Sequence, residues 1–174
     1  MVIGVLLVAS GSLMLEEVNA QGRFSARGAA VNEDGGFRRG SASGFSTGND
    51  SGAARYRRGV SDGEGNVRGS SAGVFSGPNG SQGSRATRFQ RNSDGSAEAS
   101  GTASWRGANG SRIDRSGSAN YDPDSGLDAN RSTEATRASG NSFEGSSSYN
   151  RDDGYSRQGS CYDASGNEIG CSLR

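Results

Sequence analysis

From residue 32 onward the chain is punctuated by turn signals whose spacing hardly drifts. They read NEDGG at 32–36, GNDSG at 48–52, SDGEGN at 61–66, GPNGS at 77–81, NSDGS at 92–96, GANGS at 107–111, DPDSG at 122–126 and SGNS at 139–142, with centres about every 15 residues. The dipeptides Asp34-Gly35, Asp62-Gly63, Asn79-Gly80, Asp94-Gly95 and Asn109-Gly110 fall inside them. Asn-Gly and Asp-Gly favour tight hairpin turns whose central residues both take positive φ. The runs between turns are roughly 10 to 12 residues long, which suits strands. A helix would need apolar residues every three or four positions, and 30 glycines defeat that pattern.

Pairs of runs form a larger repeat of about 30 residues. RRGSASGFSTGNDSGAARY at 38–56 aligns with VRGSSAGVFSGPNGSQGSRATRF at 67–89 and with ASGTASWRGANGSRIDRSGSANY at 99–121. Phe45, Phe75 and Trp105 then occupy one equivalent position, while Phe24, Tyr56, Phe89, Tyr121 and Tyr149 mark a second at slightly uneven steps. Within a run, Val67, Gly69, Ser71, Gly73 and Phe75 share one face, and Arg68, Ser70, Ala72 and Val74 share the other. The sequence therefore predicts an all-β repeat array of about nine or ten strands joined by tight turns. A meander and a two-strand-per-turn solenoid both satisfy the spacing.

Large apolar side chains are too sparse along these runs to build a conventional core, because most positions on both faces are Gly, Ser or Ala. Stacked repeats, or an assembly that shares faces and edges, make better use of such strands. Disorder is the alternative that a Gly/Ser-rich composition suggests. It gives no reason for turn dipeptides and aromatics to keep a fixed phase.

The first residues differ in kind. Val2 to Leu15 is largely apolar, too short to span a bilayer, and followed by Val18-Asn19-Ala20, a small-residue cleavage pattern. The expected organisation is a helical signal peptide at 1–20, a β-repeat region at 21–153 and a C-terminal hairpin at 154–174, with no transmembrane span after signal removal. Export to the cell surface, the extracellular space or the periplasm makes the two cysteines legible, since an oxidising compartment lets them pair. In CYDASGNEIGC at 161–171, a hairpin turning at Ser165-Gly166-Asn167 sets Cys161 opposite Cys171, Tyr162 opposite Gly170 and Asp163 opposite Ile169. Cross-strand neighbours lie close enough for a disulfide, so a stapled terminal hairpin is predicted.

In architecture, residues 24–172 resemble the curli-type and related functional-amyloid subunits of bacterial biofilm matrices, with Arg, Asp and Ser where those repeats carry Gln and Asn. CYDASGNEIGC, echoed by NYDPDSGLDANRS at 120–132, is similar to the hairpin of bacterial YD-repeat surface proteins. Both resemblances imply the bacterial cell exterior, and neither implies an activity. The chain lacks histidine, the usual general base, and its carboxylates cluster at turns, so no enzyme is expected. No cofactor is implied.

Asp122, Asp124 and Asp128 are the one calcium candidate, although the segment departs from the EF-hand loop after its second ligand. Arg39-Gly40, Arg58-Gly59, Arg68-Gly69 and Arg106-Gly107 invite comparison with RNA-binding tracts, but 19 cationic residues balance 19 anionic ones, and a neutral chain attracts nucleic acid poorly. Two functions remain. One is a secreted structural protein that forms or decorates an extracellular matrix by self-assembly. The other is a surface module whose arginine and aromatic rows bind acidic polysaccharide.

Overall fold

The computed structural model describes residues 22–47 and 50–171. The expected signal peptide and its cleavage point lie outside the described residues. The described chain forms eleven strands: β1 (Gly22–Val31), β2 (Phe37–Ser46), β3 (Gly52–Ser61), β4 (Val67–Ser76), β5 (Gln82–Arg91), β6 (Ala97–Arg106), β7 (Arg112–Asp122), β8 (Gly126–Thr136), β9 (Ser142–Asn150), β10 (Gly154–Tyr162) and β11 (Glu168–Ile169). They lie in one sheet in chain order, each antiparallel to the next. The array is thus an open meander and not a solenoid. It holds more strands than the nine or ten expected, because Asn150–Gly154 closes a further hairpin at a shorter step than the turns before it.

The turns explain the register. In the GPNGS segment the Gly80 N–H donates to the Gly77 carbonyl (3.0 Å) and the Gly77 N–H to the Ser81 carbonyl (2.8 Å). The same pair of bonds recurs at Asn32–Gly36, Asn92–Ser96, Gly107–Ser111, Arg137–Asn141 and Asp163–Asn167. Gly35, Gly80, Gly95, Gly110, Gly140 and Gly166 have positive φ, whereas the only other residue type with positive φ among the described residues is Asp50. The expected turn with two positive-φ residues is therefore corrected. These are three-residue loops in which a type I turn is followed by a left-handed glycine that makes a bulge. Pro78 and Pro123 sit just after the first turn residue, where proline's fixed φ suits a type I turn.

Gly63 carries the tightest requirement. Its φ is 88°, and a Cβ there would fall on the Asp34 carbonyl of the neighbouring turn and within 2.9 Å of the Gly36 nitrogen. Gly35, with φ of 75°, has nothing within 4 Å. Gly63→Ala is expected to cost about 1–3 kcal/mol and Gly35→Ala less, since only the former adds a backbone clash to the strained φ. Thermal melts followed by circular dichroism test the order; equal melting temperatures would refute it.

The same register corrects the terminal hairpin. Cys161 lies opposite Ile169, and Tyr162 opposite Glu168. The Asp163 carboxylate accepts from the N–H groups of Ser165 and Asn167, both at 2.9 Å, and fixes a loop centred on Ser165. That is one residue before the expected centre, so the strands slip by two. Cys161 and Cys171 remain on the same face as diagonal neighbours, with Cα atoms 5.3 Å apart, and are joined by a disulfide.

No hydrophobic side chain is buried among the described residues, so the sheet is one layer with both faces open. Its cohesion comes from the hydrogen-bond ladder and from cross-strand pairs. Ser84 and Ser104, Ser116 and Ser132, and Ser148 and Ser156 join hydroxyls across strands at 2.7–2.8 Å. The rings of Phe24, Phe89 and Phe75 lie over the glycines directly opposite them, Gly44, Gly69 and Gly83. Glycine there leaves room for a ring to cover the neighbouring backbone.

Candidate binding groove on an arginine face

Directly opposed residues in antiparallel strands share a face, and successive residues alternate. Every loop here holds three residues between its closing pair, so even-numbered residues pair with even and odd with odd across the whole sheet. One face is made of odd-numbered residues from all eleven strands, and the other of even-numbered ones.

The odd face carries Arg23, Arg27, Arg39, Arg55, Arg57, Arg85, Arg91, Arg115, Arg131 and Arg157 and no strand carboxylate. The strand carboxylates Glu98, Asp114, Asp122, Asp128, Glu134, Glu144 and Glu168 are all even. Among the described residues the one ion pair is Arg112 with Asp114, on the even face, so no arginine of the odd face is neutralised by a side-chain partner. A chain with balanced charge therefore folds into a sheet with one strongly cationic side.

On this face a row runs across seven strands from Arg23 through Phe45, Ala53, Phe75, Gly83 and Trp105 to Ile113. Beside it lies the row Ser25, Ser43, Arg55, Gly73, Arg85, Ala103 and Arg115. The two rows line a shallow groove of about 940 Å³. Aromatic rings project from β2, β4 and β6, and guanidinium groups from β3, β5 and β7. Arg55, Arg85 and Arg115 are two strands apart, roughly 9–10 Å, and the groove crosses about 29 Å of sheet.

The turns complete the electrostatics. The groove lies beside the loops at 47–51, 77–81 and 107–111, whose one charged residue is Asp50. At the opposite end of the strands, the loops at 32–36, 62–66, 92–96, 122–126 and 150–154 gather Glu33, Asp34, Asp62, Glu64, Asp94, Asp122, Asp124, Asp152 and Asp153. Several of these acids work inside their own turns. The Asn66 side chain and then the Glu64 N–H hold the Asp62 carboxyl below its ordinary pKa of 3.8. The Ser96 hydroxyl does this for Asp94, the Ser125 N–H for Asp122, and the Asn167 side chain for Asp163.

A depressed carboxyl contributes stability that is fully present above its unfolded pKa and is lost as pH falls through the folded one. Amide exchange in these four turns, corrected for intrinsic rates, is thus expected to hold steady from pH 8 to 5, where the chain has no histidine to titrate, and to lose protection below about pH 4. Loss of protection near neutrality would contradict this account.

The singled-out residues fall in several places. Phe45, Phe75 and Trp105 share the groove row, and Phe143 and Cys161 continue it on β9 and β10. The second aromatic series does not share one position: Phe24 and Tyr56 are even, whereas Phe89, Tyr121 and Tyr149 are odd. Its uneven steps carry it across the pleat. Asp34, Asp62, Asn79, Asp94 and Asn109 lie in loops with their glycines. Asp122 accepts from the N–H groups of Asp124 and Ser125, both at 2.9 Å, while Asp128 pairs with Asn120 in the strand ladder. The described residues contain no cluster of three metal-ligating side chains.

Arg55, Arg85 and Arg115 went unnoticed in the Arg-Gly reading. Their 30-residue step, the same as that of Phe45, Phe75 and Trp105, was the signal that marks them. Comparison with protein-family models, curated proteins and solved structures yields no match.

Proposed function

We propose that this chain is a non-catalytic structural protein of an extracellular matrix, assembling through its β-strand repeats. The observation that carries the reading is the single-layered sheet with no buried hydrophobic side chain among the described residues. A sheet normally buries one face against another layer, and a second copy of the chain supplies that layer.

The even face suits such a partner. Arg38, Arg58, Arg68 and Arg88 lie on β2–β5, where this face has no carboxylate; Asp128, Glu134, Glu144 and Glu168 lie on β8–β11, where it has no arginine. A two-fold axis parallel to the strands turns β8–β11 of one copy over β2–β5 of the other and sets Asp128 against the row of Arg38 and Arg68, which lies at the same height along the strands, a self-complementary arrangement. The Gly, Ala and Ser positions between these charges allow close approach. Two odd faces would repel, so stacking closes at a pair, and growth beyond it uses the ten-residue edge strand β1, whose outer side pairs with no strand among the described residues.

Sedimentation velocity and far-UV circular dichroism on the oxidised chain, over a range of concentrations, test this. Sheet signal together with pairs or larger species is the expected outcome. A concentration-independent monomer with the same sheet signal would overturn assembly and leave the glycan-binding module, which the arginine face favours.

A further inference from the structure

We infer that the groove on the odd face is a binding site for a linear acidic polysaccharide, one that carries a carboxylate or sulfate at intervals along a sugar backbone. The argument does not rest on self-assembly, since this face stays outward whether or not even faces stack.

Four observations converge. The groove has length and no depth, as a polymer site needs and a small-molecule pocket does not. Its cations, Arg55, Arg85 and Arg115, recur on every second strand with no carboxylate on their face to neutralise them. Guanidinium groups offer paired donors that match carboxylate and sulfate oxygens. Between them Phe45, 47% exposed, and Phe75, 44% exposed, present apolar platforms of the kind that pack on the C–H faces of sugars, with the less exposed Trp105 in the same row.

The spacing separates the polymer classes. Duplex DNA carries one charge per ≈ 1.7 Å, and adjacent bases of a single strand follow one another far more closely than rings two strands, roughly 9–10 Å, apart. A ladder this open fits a polymer whose anionic groups are separated by whole sugars. Most carboxylate-bearing loops lie at the other end of the strands, where they guide a polyanion toward the groove end, and Asp50 is the one carboxylate in a loop beside the groove.

Trp105 is the sole tryptophan and sits in the groove row, so its emission reports occupancy directly. The probe is polygalacturonate, with its fully methyl-esterified form as a neutral polymer of the same backbone and a thymidine oligonucleotide as the nucleic-acid arm, all at one stated salt concentration. Polygalacturonate is expected to change Trp105 emission saturably, the ester roughly tenfold or more weaker, and the oligonucleotide weaker still. R55A/R85A/R115A is expected to lose at least about tenfold in affinity, while R106A/R137A/R151A, which removes the same charge elsewhere, retains it.

Equal binding of ester and acid, equal loss in both triple variants, tighter binding of the oligonucleotide, or binding with no change in Trp105 emission would each overturn the proposal. Circular dichroism of the variants shows whether the sheet is kept. The emission result on the native chain decides the matter if it is not.

Discussion

With Arg58, Arg68 and Arg88 replaced by glutamate, the chain is expected to sediment as a monomer throughout the concentration range in which the native chain pairs. The reason lies in how the even face divides its charge. Its β2–β5 half is purely cationic and its β8–β11 half purely anionic, so the two-fold stack sets unlike halves against each other. Reversal leaves Arg38 as the one cation of the β2–β5 half and makes both halves predominantly acidic, and like charges brought together at an interface cost several kcal/mol. A hundredfold or greater weakening, about 3 kcal/mol, is the expected scale. The mirror variant D128R/E134R/E144R leaves Glu168 as the one carboxylate of the β8–β11 half, makes both halves predominantly cationic and is expected to fail alone for the same reason. Mixed one to one, the two reversed chains should pair again, because an acidic face then meets a cationic one. Association of the native chain should also weaken with added salt. Undiminished self-association of the glutamate variant would move the seam to the β1 edge.

Replacing Cys161 and Cys171 by serine is expected to free β11 and leave the rest of the sheet in place. Apart from the disulfide, β11 is held to β10 by the ladder pairs Cys161–Ile169 and Tyr162–Glu168 and by the Ser160 hydroxyl donating to the Glu168 carboxylate, whereas β9 and β10 share nine pairs. Closing a loop of this length by a disulfide is worth about 2.5–3 kcal/mol in the chain-entropy account, more than two ladder pairs supply. Hydrogen exchange should show Glu168 and Ile169 losing protection while β2–β9 keep theirs. The open outer edge of β10, which β11 covers only at Cys161 and Tyr162, then extends over all nine residues, and lateral association, followed by light scattering, should rise. Cooperative loss of protection across all strands would show instead that the staple holds the whole sheet.

Much of the fold was legible because its determinants are local. A left-handed glycine after a type I turn, an Asp or Asn that accepts from N–H groups two to four residues on, and proline at the second turn position all act within five residues. The turn at Asn150–Gly154 was harder to place within the repeat, because it breaks the 15-residue step. The Cys161 hairpin was mispaired by two for a related reason: Gly166 drew attention as the centre, whereas Asp163 and Asn167 close the loop around Ser165. The second aromatic series failed as a single position, since a shift of an odd number of residues between neighbouring repeats moves a side chain through the sheet.

The groove was only half legible. Phe45, Phe75 and Trp105 stood out as large residues at equal steps, while Arg55, Arg85 and Arg115 at the same step were hidden among 19 arginines. By itself the sequence determined where the chain turns, that the runs between are strands, and that two strands make one repeat, because each of these is decided by residues adjacent in the chain. Only the tertiary structure decided which residues stand side by side. Ten loops that each hold three residues keep every strand in the same parity, so arginines tens of residues apart gather on one face and carboxylates are confined to the other and to the turns. That segregation depends on every register in the sheet at once, and composition, which balances to zero, carries no trace of it.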